Sequence, residues 1–363
     1  MTAPDFDAAK AAFLEGLQAQ QAGRLDDAER HYRRSLQHLP GRPSTLVNLA
    51  ATLLARQRAA EALPLLEEAL AAEPGNADAW YQRCGALGQL NRLDEALASI
   101  ERCLAVAAEA GAAWSRRGGL LKDLGRPAEA VAALRRAVEL GADVEMNRYL
   151  LASLTGEAVP PRPPAGYVQA LFDSYAGDFD EHLVERLQYR APELLLQALP
   201  RAAFGAALDL GCGTGVAGRL LRPRVQALAG VDLSAGMLAQ ARAHGVYDTL
   251  HQADLVAHLE ATPERFDLVF AADVFIYLGD LAAVFAGVRR VLRPGGVFAF
   301  SVEAADDAVD FELRPSSRYA QSARYLRALA AAHGLHVQSL RQDTLRLDQR
   351  QPVAGWLAVM TAP

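Results

Sequence analysis

The sequence predicts a chain of two parts: an all-α repeat solenoid followed by an α/β domain with a mostly parallel sheet. Three observations carry that reading. Small and large residues recur with a constant period through the first 144 positions. A proline-rich stretch then interrupts the pattern. Beyond it, apolar runs of strand length alternate with helical patterns, and the first run ends in a glycine-dense turn. At 363 residues the chain is long enough to bury two separate cores.

The period is explicit. Ala28, Ala62, Ala96 and Ala130 stand 34 residues apart, and Tyr32, Leu66, Ile100 and Leu134 follow each by four. Ser35, Ala69, Cys103 and Ala137 keep the same register, as do Gly16, Ala50, Cys84 and Gly118 upstream. Trp80 and Trp114 share one position, and Pro40 and Pro74 close the first two units. Small residues let paired helices approach, and bulky ones fill the space between units. Ala22-Gly23-Arg24, Leu90-Asn91-Arg92 and Leu124-Gly125-Arg126 are turn punctuation. The pattern is similar to tetratricopeptide repeats. Four units are expected at 9–42, 43–76, 77–110 and 111–144, with a capping helix near Val144–Leu154. That resemblance implies a groove for a protein or peptide partner, with scaffolding or self-association as the rival reading.

Thr155–Gly166 holds four prolines and two glycines in twelve residues. Prolines exclude helix and central strand and favour a semi-rigid spacer. The domains are therefore drawn at 1–154, linker 155–166 and 167–363. Tyr167–Leu199 reads as helix, turn, helix. Strands follow at Ala206–Leu210, Val225–Val231, Thr249–Gln252, Phe266–Ala271 and Val297–Val302. Helices are expected from Val216, over Ser234–His244 with Ser234 as N-cap, over Leu281–Leu292 and over Arg318–His333. Arg293–Gly296 reads as a turn. Leu335–Leu347 and Val353–Met360 make a C-terminal antiparallel hairpin, for a seven-stranded sheet in all.

Leu208-Asp209-Leu210-Gly211-Cys212-Gly213-Thr214-Gly215 places bare backbone where a ligand can approach. Asp232 ends the second strand, at the sheet edge where open α/β folds bind nucleosides, and its carboxylate can accept both hydroxyls of a ribose. Gly213-x-Gly215-x-x-Gly218 also satisfies the dinucleotide fingerprint. Counting from Gly211, however, Val216 stands where the third glycine of that fingerprint belongs. An acidic residue after the third strand, Asp254, suits an adenine amino group.

With Asp232, Ala253-Asp254, Phe266-Asp267-Leu268-Val269, Asp273 and Leu292-Arg293-Pro294-Gly295-Gly296 in that order, residues 204–302 resemble the class I, Rossmann-like S-adenosylmethionine (SAM) methyltransferases. Leu171–Leu183 extends the likeness to bacterial tetratricopeptide-repeat methyltransferases over nearly the whole chain. The resemblance implies SAM as cofactor, with Gly211, Gly213 and Gly215 lining its methionine and ribose portion and Asp209 near its amino group. Asp232 and Leu233 would meet the ribose, and Asp254 and Leu255 the adenine. Asp273 would face the reacting methyl, and His182 is the candidate base, with Glu303 behind it. Tyr175, Phe179 and His182 are lid candidates. Met237 and Leu238 could pack beneath the adenine or in the core, and Phe275 and Tyr277 could shape an acceptor pocket or anchor a helix. The family often places a histidine after Arg318-Tyr319-Ala320. Gln321 stands there, so no proton-transfer role carries over to it.

A net charge of −6 argues against a surface dedicated to nucleic acid. No apolar run approaches the ~20 residues of a membrane span. The N-terminus lacks a signal-peptide pattern, and Cys84, Cys103 and Cys212 have neither metal-ligand spacing nor an even count, so reduced thiols in the cytoplasm are expected. Two other functions stay open on sequence: a repeat-based binding protein with a SAM-sensing or inactive second half, and an NAD(P)-dependent reductase.

Overall fold

The structure is a computed structural model, and it describes residues 3–175, 189–348 and 351–363. The chain divides into two compact units, Met1–Leu154 and Thr155–Pro363.

In the first unit eight helices pair in sequence. They are α1 (Ala3–Gln21) with α2 (Leu25–His38), α3 (Pro43–Ala55) with α4 (Ala59–Ala72), α5 (Ala77–Gln89) with α6 (Leu93–Val106), and α7 (Gly111–Asp123) with α8 (Pro127–Glu139). Helix α9 (Val144–Thr155) follows. The periodic small residues mark where paired helices touch. A Cβ on Gly16 would lie 2.6 Å from the Tyr32 ring, and one on Gly118 would lie 2.6 Å from Leu134. The alanines 28, 62, 96 and 130 are fully buried. Each turn within a pair carries one left-handed residue at the same period, Gly23, Gln57, Asn91 and Gly125, with φ between 55° and 71°. Arg58, Arg92 and Arg126 each clasp the glutamate three residues on in a bidentate pair. Solvent screens such exposed pairs at helix starts, so apolar packing is what holds the stack.

The second unit opens with α10 (Tyr167–Tyr175) and α11 (Ala191–Ala198). Strands β1 (Phe204–Leu210), β2 (Val225–Asp232), β3 (Thr249–Gln252), β4 (Phe266–Ala271) and β5 (Leu292–Ala304) run parallel in the order β3-β2-β1-β4-β5. The reversal of strand order between β1 and β4 opens a crevice at the carboxyl edge. Strand β9 (Gln351–Thr361) pairs antiparallel along β5, and β8 (His336–Asp348) pairs antiparallel with β9. Alternate residues face opposite layers. Leu208, Leu210 and Val231 pack with α14 (Leu255–Ala261), α15 (Ala282–Val291) and α16 (Ala323–Ala332). Ala207, Leu228 and Phe270 pack with α11 and with α12 (Val216–Leu221). Helix α13 (Ala235–His244) connects β2 to β3, and the Ser234 side chain caps it by accepting from the Met237 N–H.

Three expectations need correction. The sheet has nine strands, not seven, because β6 (Phe311–Leu313) and β7 (Tyr319–Gln321) form a short hairpin at the carboxyl end of β5. Three-residue strands carry too little alternation to be read in advance. Helix α16 therefore starts at Ala323 rather than at Arg318, with Ser322 as its N-cap. Arg293–Gly296 does not stand apart as a turn: it is a bulge within β5, since Phe266 pairs with Leu292 while Leu268 pairs with Val297. The proline-rich segment forms neither helix nor strand from Gly156 to Gly166, and it bonds to the rest of the second unit. The Pro161 carbonyl accepts from the Gly279 and Asp280 N–H groups at 2.9 and 3.2 Å, and the Pro160 carbonyl accepts from the Tyr319 hydroxyl at 2.9 Å. Prolines lack N–H donors, yet their carbonyls suffice to tie the segment to the rest of the second unit.

Candidate cofactor site

The glycine turn between β1 and α12 is built on left-handed backbone. Gly211, Gly213 and Gly215 have φ of +66°, +53° and +95°, a region that side-chain-bearing residues enter at a cost. The Gly211 and Cys212 N–H groups both donate to the Val231 carbonyl, locking the turn to the end of β2. A Cβ at Gly211 would lie 2.2 Å from Val274, so the third residue past β4 occupies the space. Gly211→Ala is expected to destabilise the second unit by about 2–4 kcal/mol through backbone strain and overpacking together. A melting temperature equal to the wild type's would contradict this.

Asp232 sits opposite the turn. One carboxylate oxygen accepts from the Gly213 N–H and the other from the Ser234 N–H, each at 2.9 Å. An ionised carboxylate offers about four lone-pair positions, so each oxygen retains one for a ligand hydroxyl. Burial raises the Asp232 pKa from its ordinary value, against the backbone N–H groups that favour the charge. Asp209 lies beneath the same turn, 1% exposed, and accepts from the Tyr247 hydroxyl at 2.7 Å. Burial pushes its pKa up to about 7, with the Asp232 charge adding to the rise and the Tyr247 bond opposing it.

Tyr247 has no counterpart among the sequence candidates, since it belongs to no glycine motif. Its ring fills the space a Cβ would take at Gly215, Gly218 and Gly230, the closest approach being 2.2 Å to Gly218. Gly218 therefore serves an aromatic side chain, which removes it as support for a dinucleotide fingerprint.

The remaining candidates divide. Asp254 caps α14, with one oxygen accepting from the Val256 and Ala257 N–H groups at 2.9 and 3.0 Å. Its other oxygen takes no bond from any of the described residues. Leu233 and Leu255 are half-buried, directly following Asp232 and Asp254 in sequence. Met237 and Leu238 are buried in the body of the unit, and Phe275 is a core residue packed on Phe298 and Phe300. Tyr277 instead meets Phe172 of α10 edge-on at 5.3 Å. Asp173 of α10 accepts from the Ser234 hydroxyl, so this helix reaches the end of β2 and the turn after β4. Phe179 and His182 lie outside the described residues, as does the side chain of Tyr175.

Asp273 and Glu303 are not free carboxylates. Asp273, at the end of β4 with φ of +58°, accepts twice from Arg346 at 2.6 Å, and its N–H donates to the Ser301 hydroxyl at 2.9 Å. Glu303 accepts from Arg346 and, at 2.8 Å, from Arg314. A base candidate held by arginine is a charged acceptor first. Gln321 is fully buried and donates to the Leu278 carbonyl at 2.6 Å. The groups in the crevice suit a cationic nucleoside: one buried and one half-buried carboxylate, open lone pairs opposite a bare main chain, and a backbone cradle too tight for side chains. No cluster that could hold a metal ion occurs among the described residues, and no helix among them is long and apolar enough to cross a membrane.

Comparison with known proteins follows the same division of the chain. Residues 208–300 match a family model described as a methyltransferase domain. Residues 53–115 and 111–142 match tetratricopeptide-repeat models. The malonyl-[acyl-carrier protein] O-methyltransferase of Enterobacter lignolyticus (strain SCF1) is 37% identical over 139 residues, covering 38% of this chain and 54% of its own. Methyltransferase-like protein 27 of Homo sapiens is 35% identical over 148 residues, covering 39% and 60%. The chain thus spans about half the length of the curated relatives it matches. The N-methyltransferase NodS from Bradyrhizobium japonicum WM9, solved with S-adenosyl-l-homocysteine, superposes with a TM-score of 0.44 at 20% identity, over 54% of this chain and 98% of its own.

Proposed function

We propose that this chain, in which tetratricopeptide repeats precede a methyltransferase domain, is a SAM-dependent methyltransferase whose repeats recruit a protein or peptide partner. The observation that carries the reading is the Asp232 carboxylate, fixed by the Gly213 and Ser234 N–H groups across a left-handed glycine turn. When bound, SAM supplies a methyl group already activated by the positive sulfur.

The residues divide the remaining work. Asp232, with Leu233, holds the ribose through the lone pairs that its backbone bonds leave open. Gly211, Gly213 and Gly215 admit the methionine portion against bare main chain. Asp209 supplies buried negative charge beneath the turn, favouring a cation. Asp254 offers its unbonded oxygen, and Leu255 an apolar wall, to the adenine. Asp273 marks the acceptor side, and His182 is the proton acceptor proposed for a hydroxyl or amine substrate. Alignment of the two reactants accounts for about 7–11 kcal/mol of such a barrier. A cytoplasmic setting agrees with three buried cysteines, none in a disulfide.

Calorimetry on the full chain tests this: one SAM is expected per chain, and NADPH is expected to give no heat. Radiolabelled methyl from SAM should then enter one class of lysate component. SAM binding without any transfer would make the second unit a sensor, and protection by NADPH alone would make it a reductase.

A further inference from the structure

One charged cluster gathers around Asp273 at the carboxyl edge of the sheet. Arg346 projects from β8, 1% exposed, between the ends of two neighbouring parallel strands. One terminal nitrogen donates to both oxygens of Asp273 at 2.6 Å, and the other donates to Glu303. Its Nε–H is buried and has no partner among the described residues. Arg314 satisfies the second oxygen of Glu303 at 2.8 Å. Tyr189 lies beside this cluster: its hydroxyl donates to the Ala272 carbonyl at 3.0 Å, and burial raises its pKa well above the ordinary tyrosine value.

We propose that Arg346 is the positioning residue of the acceptor side, clamping the Asp273 carboxylate in place at the end of β4 so that it orients the group receiving the methyl. The inference rests on the methyl-transfer reading above. A purely mechanical explanation fits poorly. The β8–β9 hairpin is already held by a ladder that runs from His336–Thr361 to Asp348–Gln351, and β9 pairs along β5 from Val297 to Glu303. A hairpin so attached does not need a buried ion cluster, and apolar residues of similar volume commonly hold a fold as well or better. Asp273 is moreover kept in a left-handed backbone conformation that few aspartates adopt, with its N–H and its carboxylate each pinned by a separate partner. Such over-determination of one side chain is what an aligned reaction needs, because a displacement of about 1 Å costs on the order of 10²-fold in rate. The unspent Nε–H also leaves the guanidinium one further donor (buried donors are rarely left unpaired without a reason).

The test uses the full chain and four variants: Arg346→Lys, Arg346→Ala, Arg346→Met, and the triple variant Arg346→Met, Asp273→Asn, Glu303→Gln. SAM affinity by calorimetry should stay within about 3-fold of wild type in Arg346→Lys, while label transfer from SAM into lysate falls by about 10²-fold or more. Lysine keeps the charge but cannot reproduce the planar fork. In Arg346→Ala, millimolar guanidinium should raise the melting temperature and restore part of the transfer, with neither effect on wild type. The triple variant removes all three charges together, so it is expected to fold where Arg346→Met alone does not, and to transfer poorly. Wild-type transfer by Arg346→Lys, or by a folded triple variant, overturns the inference and leaves the methyltransferase reading standing. Failure of the unaltered chain to bind SAM sinks both.

Discussion

Asp232→Ala is expected to lose SAM binding by a factor of about 10²–10⁴. The carboxylate would form two charge-assisted hydrogen bonds to ribose hydroxyls, each contributing roughly 1.5–3 kcal/mol. The substitution also frees the Gly213 and Ser234 N–H groups that Asp232 now engages, so the turn loosens as well as losing its sugar contact. Asp232→Asn separates the two effects, because its amide oxygen still accepts one backbone bond while the charge is gone. It should fall between wild type and alanine. Calorimetry with SAM reads both variants, and a thermal melt without ligand reads the turn. Undiminished affinity in Asp232→Ala would take this residue out of the site.

Asp209→Asn should change how stability responds to pH. The folded-state pKa of Asp209 is raised from 3.8 to about 7, first by burial and then by the Asp232 charge. Between those two values the folded protein holds a proton that the unfolded chain releases. This contribution is therefore present at low pH, is lost as pH climbs from about 4 to about 7, and is constant above that. The gap corresponds to about 4 kcal/mol, to order of magnitude. Asparagine accepts the Tyr247 bond without ever charging. The variant should thus melt roughly 8–16 °C above wild type at pH 8 and converge with it only near pH 4, at about 2–4 °C per kcal/mol. Parallel curves for the two proteins would rule the account out. A cationic ligand favours the ionised carboxylate, so SAM binding to wild type should weaken below pH 7 and the variant should show little such dependence.

The repeats were legible because each small residue answers one steric demand that recurs at a fixed interval: Gly16 must clear Tyr32, and Gly118 must clear Leu134. The glycine turn and the parallel strands were legible for a similar reason, since positive φ and continuous apolar runs leave local signatures. Other features depend on partners far away in sequence. Tyr247 reaches Asp209 across 38 residues, and Arg346 reaches Asp273 across 73. No local pattern encodes either pairing. The β6–β7 hairpin was missed because two strands of three residues lie below the length at which alternation can be counted. The bonds that the linker accepts through the Pro160 and Pro161 carbonyls were not legible, because composition describes what prolines refuse and is silent about what their carbonyls accept.

The aromatic ring wedged against Gly218 ties the identity of that position to one tyrosine. An ancestor acquiring a methyl at position 218 would have to surrender the phenol, and with it the proton donor that Asp209 relies on. Related chains are therefore expected to keep Gly218 and Tyr247 together or to replace both.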